Sequence, residues 1–421
     1  MKITSPMMII RMAFSVRVSG HSRANWLGRL AALAGANRRR YNMRMIRPPV
    51  SLSSLCWAAL PAVLLACGQT PQPAQPRDAW TLSDVRPDTS DGLRILIVHD
   101  MEGLSGEDDP QQFFFGSPQY PKGQELLVAD INAVVDGLYA GGATEVQVVD
   151  GHGSGNPEPD VRRDLLDKRA QQVFRDKPFD TYFDLVEPKA YDAVAVVGMH
   201  AKTGSRGFAS HTLTLGMEVI FNGKTVTETE IVGLSWGRQG IPVIFGSGDD
   251  RLARDLETMP WIEFATVKKA LAADSVELRP VDEARAELRA KAERAVRNLR
   301  EGKTKAMHIS TPITAALHVY PPASLALMDS VPGVNYADQA VTFTTDDLHL
   351  AYRGIRKLTG VATRAYTGLL MEEVRSRPQG DDIAKAYSRR LEQRWFDVES
   401  GRWTAPTPNP PPPGTKYHGS R

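Results

Sequence analysis

The stretch "ILIVHDMEGLSG", residues 95–106, decides the fold. Its first four residues are all apolar, which is typical of a strand that is buried on both faces of a parallel sheet. Two carboxylates, Asp100 and Glu102, follow the strand on either side of one methionine. Because residues two apart share a face of an extended chain, their charges lie close together and repel. Such a pair is tolerated in solvent, or where a cation lies between the two side chains.

Further strand and helix signals alternate after this stretch. A helical repeat of apolar residues covers 121–140, and "EVQVVDGHGSG" (145–155), "YDAVAVVGMH" (191–200) and "IPVIFGSGDD" (241–250) are apolar strands that end in glycine and polar residues. This alternation predicts an α/β fold with a Rossmann-like, mostly parallel sheet. Such sheets bind ligands outside the carboxyl ends of their strands.

The pattern of strand and helix signals changes near residue 263. An amphipathic helix at 281–302 and strand-like segments after it predict a smaller α+β lobe, with the active site in the cleft between the lobes. The expected organisation is an α/β metal-binding lobe followed by this second lobe, between a Pro/Gln-rich tether and a Pro-rich disordered tail. Their limits are 93–262 and 263–403 for the lobes, 67–92 for the tether and 404–421 for the tail.

The first 66 residues predict a targeting segment. They hold ten of the 51 Lys and Arg residues and no acid, and an apolar run from Leu55 to Ala66 precedes Cys67. The run is too short to span a membrane but suits a signal peptide, and "LLAC" resembles a bacterial lipobox. We expect an over-called start followed by a lipoprotein signal peptide that ends at Ala66. A lipid anchor at Cys67 would place the protein in the bacterial periplasm or cell envelope; an organelle transit peptide is the alternative.

Composition excludes several other classes of protein. After residue 66 the chain has 41 basic and 49 acidic residues, so the body is mildly acidic and no nucleic-acid partner is expected. Both cysteines, Cys56 and Cys67, lie in or next to the targeting segment. The body therefore has no disulfide, no thiolate metal ligand and no cysteine nucleophile.

Histidines and carboxylates collect at the predicted strand ends. Besides Asp100 and Glu102, the segments "DGHGSG", "GMHAKTG" and "SHTLT" supply His152, His200 and His211. Imidazole and carboxylate together suit zinc or a similar divalent ion, and a carboxylate that bridges two ions explains the close acid pair. The sequence therefore predicts a metal site at this edge of the sheet.

The same motifs resemble a known family. "HDMEGLSG", "DGHGSGN", "GMHA", "SHT", "TETE" and "IPVIFGSGDD" occur in the order and spacing of the D-aminopeptidases of metallopeptidase family M55, over roughly residues 93–375. The resemblance implies two divalent metal ions per chain, with zinc expected, and a homo-oligomer, by the family's example a decamer. By the match of motifs, the metal ligands are Asp100, Glu102, His152, His200 and Glu228, and the catalytic residue is His211.

The last ligand of that set departs from the family pattern. The family has "GE-x-G" where this chain reads Thr227-Glu228-Thr229-Glu230, so Glu228 is preferred and Glu230 remains a competitor. The expected function is a binuclear-metal-dependent aminopeptidase that acts on short peptides with N-terminal D-amino acids such as D-Ala. The preference for D-residues is implied by the resemblance alone.

Two alternatives compete with this prediction. The first is a non-catalytic lipoprotein that binds peptides. The second is a serine hydrolase, because "GLSWG" (233–237) matches the G-x-S-x-G nucleophile elbow around Ser235, with Asp347 and His349 downstream in the required order. The elbow needs a helix directly after the serine, whereas "GRQGIPVIF" indicates a turn and a strand.

Overall fold

The structure is a computed structural model, and it describes residues 78–404 and 411–419. These described residues fall within one compact unit. The predicted signal peptide, the lipid anchor at Cys67 and most of the tether lie outside the described residues. Among the helices that are described, none has the length and apolar character needed to span a bilayer.

Strands and helices alternate along the described part of the chain. The strands are β1 (Trp80–Val85), β2 (Arg94–His99), β3 (Glu145–Asp150), β4 (Ala170–Gln172), β5 (Ala193–Val197), β6 (Met217–Phe221), β7 (Lys224–Thr225), β8 (Val243–Asp249), β9 (Glu263–Ala272), β10 (Ser275–Leu278), β11 (Thr304–Ile309), β12 (Ile313–Val319), β13 (Asn335–Ala337) and β14 (Ala340–Thr345). The helices are α1 (Tyr120–Gly141), α2 (Glu228–Gly237), α3 (Asp250–Asp255), α4 (Val281–Arg300), α5 (Leu348–Ala362), α6 (Tyr366–Ser376) and α7 (Gly380–Glu399).

A seven-stranded sheet is the centre of the fold. Its strand order is β10-β9-β8-β5-β2-β3-β4, and all neighbours are parallel except β9 and β10. Strand β2 lies between β3 and β5, so the carboxyl ends of these three strands meet at one edge. The predicted α/β fold with a mostly parallel sheet is therefore confirmed.

Both faces of this sheet are buried, as the unbroken apolar run in β2 predicts. Ile95 and Ile97 belong to a core cluster with apolar residues of α1 and α4, whereas Leu96 and Val98 face the second cluster. Helix α4 buries one apolar face, which includes Ala284, Leu288, Ala292, Ala295 and Leu299. Helix α1 ends at Gly142, whose φ of 108° is in the left-handed region that glycine adopts readily.

A five-stranded antiparallel sheet, in the order β13-β14-β12-β6-β7, forms the second layer. Its strands β6 and β7 form a hairpin around Asn222 and Gly223, which both have positive φ, as the Asn-Gly turn predicts. Residues of this sheet such as Val219 and Leu317 pack in the same cluster as Leu96.

The expected lobe boundary at 262/263 does not coincide with a break between the sheets. Strand β9 pairs with β8 in the first sheet and α4 packs on α1, so residues 263–300 complete the first layer. Strand β9 includes Lys268, whose ammonium group is fully buried 2.6 Å from a Glu107 carboxylate oxygen. Because β9 contains a charged residue, its sequence lacks the unbroken apolar run that identifies an inner strand of a parallel sheet.

The expected disordered tail also differs from the structure in its described part. Residues 411–419 lie against the first sheet, where Tyr417 pairs with Arg175 and Gly419 pairs with Asp150. His418 is buried in this contact. Proline-rich composition indicated an extended segment but carried no signal for the contact that its last residues make.

Candidate metal centre

The edge formed by β2, β3 and β5 brings the predicted ligands together. Asp100 follows β2, and its backbone N–H donates to the carbonyl of Val197 at the end of β5, 2.8 Å away. His152 follows β3 and His200 follows β5. The carboxylates and His200 are buried, so the sheet places several charged side chains where water is largely excluded.

The first group of candidate ligands consists of Asp100, Glu102 and His152. Nδ1 of His152 lies 2.8 Å from Oδ1 of Asp100 and 3.1 Å from Oε2 of Glu102. On its other side the ring donates from Nε2 to the carbonyl oxygen of Phe113, at 2.9 Å. That outer hydrogen bond fixes the ring and leaves Nδ1 directed at the two acids, which is how metal-binding histidines are held.

The second group consists of His200, His211 and Glu228. Nε2 of His200 lies 3.5 Å from Oε1 of Glu228, while Nδ1 of His200 is 3.0 Å from the carbonyl oxygen of Ala201. Nε2 is buried and has no hydrogen-bond partner. An unsatisfied imidazole nitrogen aimed at carboxylates fits a metal ion, since buried polar atoms are otherwise hydrogen-bonded.

Asp100 connects the two groups. Its Oδ1 faces His152 of the first group, and its Oδ2 lies 3.3 Å from Nε2 of His200 in the second. One oxygen is therefore directed at each group. This is the arrangement that a carboxylate bridging two ions requires.

The electrostatics of the centre suit bound cations. Burial opposes ionisation of Asp100, but the adjacent imidazole rings of His152 and His200 outweigh it and hold the pKa of Asp100 well below its usual value. Burial raises the pKa of Glu102 to about 7, and the negative charge of Asp100 acts in the same direction. Acids held this close together need positive charge nearby to remain ionised.

His211 stacks on His200, with ring centroids 3.8 Å apart and an angle of 16° between the planes. Its Nδ1 lies 2.8 Å from the carbonyl oxygen of Ala209, so we assign the proton to Nδ1 and leave Nε2 as an acceptor. Nε2 is 4.0 Å from Oε1 of Glu228. Burial, together with the positive charge of His200, lowers the pKa of His211 to about 4, so the ring is neutral at pH 7.

Comparison with known proteins identifies the family. A model of the M55 peptidase family, described as D-aminopeptidase, matches residues 93–357, which is more than half of the chain. The chain belongs to the M55 D-aminopeptidase family. The D-aminopeptidase of Bacillus subtilis (strain 168) is 25% identical over 279 residues, which cover 65% of this chain and 98% of the relative.

A solved structure shows the same fold. The zinc-dependent D-aminopeptidase DppA from Bacillus subtilis, described as a self-compartmentalizing protease, matches with a TM-score of 0.58 and 23% identity. The match covers 65% of this chain and 98% of that structure. The expected family and enzyme class, a metallo-aminopeptidase of the M55 type, are confirmed.

The structure separates Glu228 from Glu230, which the sequence left as competitors. Glu228 begins α2 and faces His200; its Oε2 accepts a hydrogen bond from the Tyr182 hydroxyl and its Oε1 accepts the N–H of Leu213 at 2.8 Å. Glu230 instead completes the capping box of α2 with Thr227, and its other oxygen accepts from Thr258 at 2.7 Å. The geometry therefore favours Glu228 as the ligand.

Replacing each of these glutamates with glutamine should separate their roles. We expect Glu228→Gln to weaken zinc binding at least about 100-fold, because altering even an outer partner of a ligand costs about 10–100-fold. Glu230→Gln should leave both zinc affinity and the free energy of unfolding nearly unchanged, because glutamine also completes a capping box. Competition titrations with a zinc chelator and denaturant unfolding of both variants measure this. Equal zinc affinities would contradict the assignment.

Two residues that contact the site were not predicted. Tyr182, in the loop after β4, donates a hydrogen bond from its hydroxyl to Glu228. The carbonyl oxygen of Phe113 accepts a hydrogen bond from Nε2 of His152. Tyr182 stands in no recognisable motif. Phe113 begins the aromatic run "FFFG" (113–116), but its contribution to the site is a backbone oxygen, which no side-chain pattern predicts.

The serine-hydrolase alternative fails on geometry. Ser235 lies inside α2 rather than on a strand-to-helix turn, and its buried hydroxyl donates to the carbonyl of Tyr182. Asp347 caps α5 by accepting the N–H of Leu350, and His349 stacks on Phe183. These three side chains therefore have structural partners instead of one another.

Proposed function

We propose that this chain is a zinc-dependent aminopeptidase that binds two ions and removes N-terminal D-residues, such as D-Ala, from short peptides. The observation that carries the proposal is the position of Asp100, which directs one carboxylate oxygen at each of two ligand groups. The name of the Bacillus subtilis relative supports the preference for D-residues and the use of zinc.

The roles of the side chains follow from their geometry. Nδ1 of His152 and Nε2 of His200 point inward because their other ring nitrogens are fixed by backbone carbonyls. Zinc ions bound by these groups would supply Lewis-acid chemistry, polarising the scissile carbonyl and lowering the pKa of water. His211 is neutral, with Nε2 free to accept a proton and to deliver it to the leaving amine.

The non-catalytic alternative explains less of the site. Peptide capture needs neither two ligand groups nor a half-buried neutral imidazole beside them. In a binding protein, His211 would have no reason to be held with its acceptor nitrogen toward Glu228. The arrangement favours hydrolysis.

Parallel assays with D- and L-alanyl amides test the proposal. We expect hydrolysis of the D-substrate, its loss in EDTA and its recovery when zinc is added back. A protein that binds zinc but hydrolyses neither substrate would support the binding alternative. Faster hydrolysis of the L-substrate would refute the stereochemical part alone.

Zinc affinity should rise with pH through about 7, since Glu102 has a pKa of about 7 in the metal-free protein. Burial opposes protonation of His152, but the adjacent carboxylates outweigh it and raise the His152 pKa well above its usual value. These groups hold protons in the free site and must release them to bind metal, so a higher pH favours binding. Calorimetric titrations in buffers of different ionisation enthalpy measure the released protons. An affinity that is constant from about pH 6 to 8 would contradict this.

We also propose that the protein forms homo-oligomers and is held in the cell envelope by a lipid on Cys67. The self-compartmentalizing description of the solved relative supports the first point, and the lipobox-like "LLAC" supports the second. Membrane fractionation of wild type and Cys67→Ser tests the anchor. Wild-type protein in the soluble fraction would refute it.

A further inference from the structure

The last described residues extend the edge of the parallel sheet. Tyr417 and Arg175 exchange two backbone hydrogen bonds, each 2.8 Å long, in an antiparallel bridge. Two residues later, Gly419 forms a parallel bridge with Asp150, the last residue of β3. The segment therefore extends the edge of the sheet just beyond the end of β4, as an added strand would.

His418 contacts the loop that carries His152. It is 5% exposed, with Nδ1 3.5 Å from Oδ2 of Asp150 and Nε2 3.3 Å from the carbonyl oxygen of Pro157. The other oxygen of Asp150 accepts the backbone N–H of His152 at 2.9 Å. His418 thus contacts both ends of loop 150–157. One of these contacts is with Asp150, whose other carboxylate oxygen holds the backbone of His152, the candidate ligand.

The backbone position of Gly419 leaves no room for a side chain. Its φ is +139°, and a Cβ at this position would overlap the carbonyl oxygen of Asp150 and lie 2.9 Å from Oγ1 of Thr181. Any side chain at 419 would therefore have to push the segment away from the end of β3. The close approach of the two backbones depends on glycine.

This segment lies beyond the region that the family shares. The family match ends at residue 357, and the Bacillus subtilis relative is covered over 98% of its length by 65% of this chain. Three prolines, residues 411–413, precede the contact. Because proline restricts the free chain, docking of the segment costs less conformational entropy.

We propose that residues 411–419 form an intramolecular clamp, the C-terminal clamp, that holds loop 150–157 and so positions His152 for metal binding. His418 is a positioning residue in this scheme, since it acts through Asp150 and contacts neither ion nor substrate. The part that concerns metal binding rests on the proposed function. The part that concerns the loop does not.

Hydrogen exchange in the metal-free, full-length protein tests the clamp on the loop. In Gly419→Ala and His418→Ala we expect the backbone amides of residues 151–156 to exchange at least about tenfold faster, because local opening becomes easier. Lys416→Ala is the matched control, since Lys416 only pairs with Asp176 where both side chains are exposed. Unchanged exchange in both clamp variants would overturn the proposal.

Zinc affinity in the same variants tests the positioning of His152. The dissociation constant should rise about 10- to 100-fold in Gly419→Ala and His418→Ala, as for other outer partners of metal ligands, and remain unchanged in Lys416→Ala. A chain truncated after residue 410 should regain affinity when a synthetic peptide of residues 411–421 is added. Faster exchange with unaltered zinc affinity would overturn the positioning role. Wild-type protein that binds no zinc would refute the proposed function, while the exchange rates would still decide the clamp.

Discussion

Replacing Asp100 with asparagine will abolish hydrolysis and zinc binding together. Asparagine keeps the shape of the side chain but removes the charge that faces His152 on one side and His200 on the other. Because both ligand groups lose the same carboxylate, neither retains a complete set. We expect the rate to fall at least about 10⁴-fold, the scale seen when one member of a catalytic unit is removed.

The measurement is kcat/KM for a D-alanyl amide together with zinc content by elemental analysis. Asp164→Asn is a suitable control, because the Asp164 carboxylate is exposed and pairs with Arg162 at the surface. Circular dichroism should show the same fold in both variants. An Asp100→Asn protein that keeps two zinc ions per chain would contradict the bridging position.

Replacing His211 with alanine gives the second large effect and should separate proton transfer from metal binding. The ring stacks on His200 and directs an acceptor nitrogen at the centre, and we assign it to proton transfer rather than to metal binding. We expect kcat to fall about 10²- to 10⁴-fold, the range for loss of a general acid or base, while zinc content is unchanged.

Added imidazole should restore part of the activity of His211→Ala, which a purely structural residue would not show. His318→Ala is the matched control, because His318 pairs with Glu218 at 2.7 Å in the five-stranded sheet. Since the Nε2 atom of His211 lies near His200 and Glu228, the competing role is that of a metal ligand. A drop in zinc content in His211→Ala would establish that role instead.

Much of the site could be predicted because several of its candidate ligands directly follow strands that the sequence identifies. Parallel strands fix where their carboxyl ends lie, so residues just after β2, β3 and β5 meet whatever the details of packing. Asp100, His152 and His200 follow from that rule alone. The apolar spacing of α4 likewise fixed which of its residues are buried.

Other features depend on contacts between distant segments. Glu228 and Glu230 both lie in the first turn of α2, and only the positions of His200 and Thr258 distinguish them. Tyr182 is 46 residues from Glu228, whose carboxylate accepts a hydrogen bond from the tyrosine hydroxyl. No spacing of residues in the sequence predicts a contact between two side chains so far apart in the chain.

The two corrections to the expected organisation have the same origin. Lys268 is tolerated in β9 because Glu107, 161 residues away, supplies a buried carboxylate. His418 and Gly419 dock because Asp150 and Pro157 present acceptors to them. Composition described the tail correctly as proline-rich, but the partners of both segments are determined by the folded chain.

A crystal structure of the zinc-loaded protein, with anomalous data collected at the zinc edge, tests the central claim most directly. We predict two peaks per chain about 3.5–4 Å apart, as in other two-metal sites, one beside His152, the other beside His200, with the Asp100 carboxylate between them. A single peak, or two peaks that lack Asp100 as a shared ligand, would contradict the account.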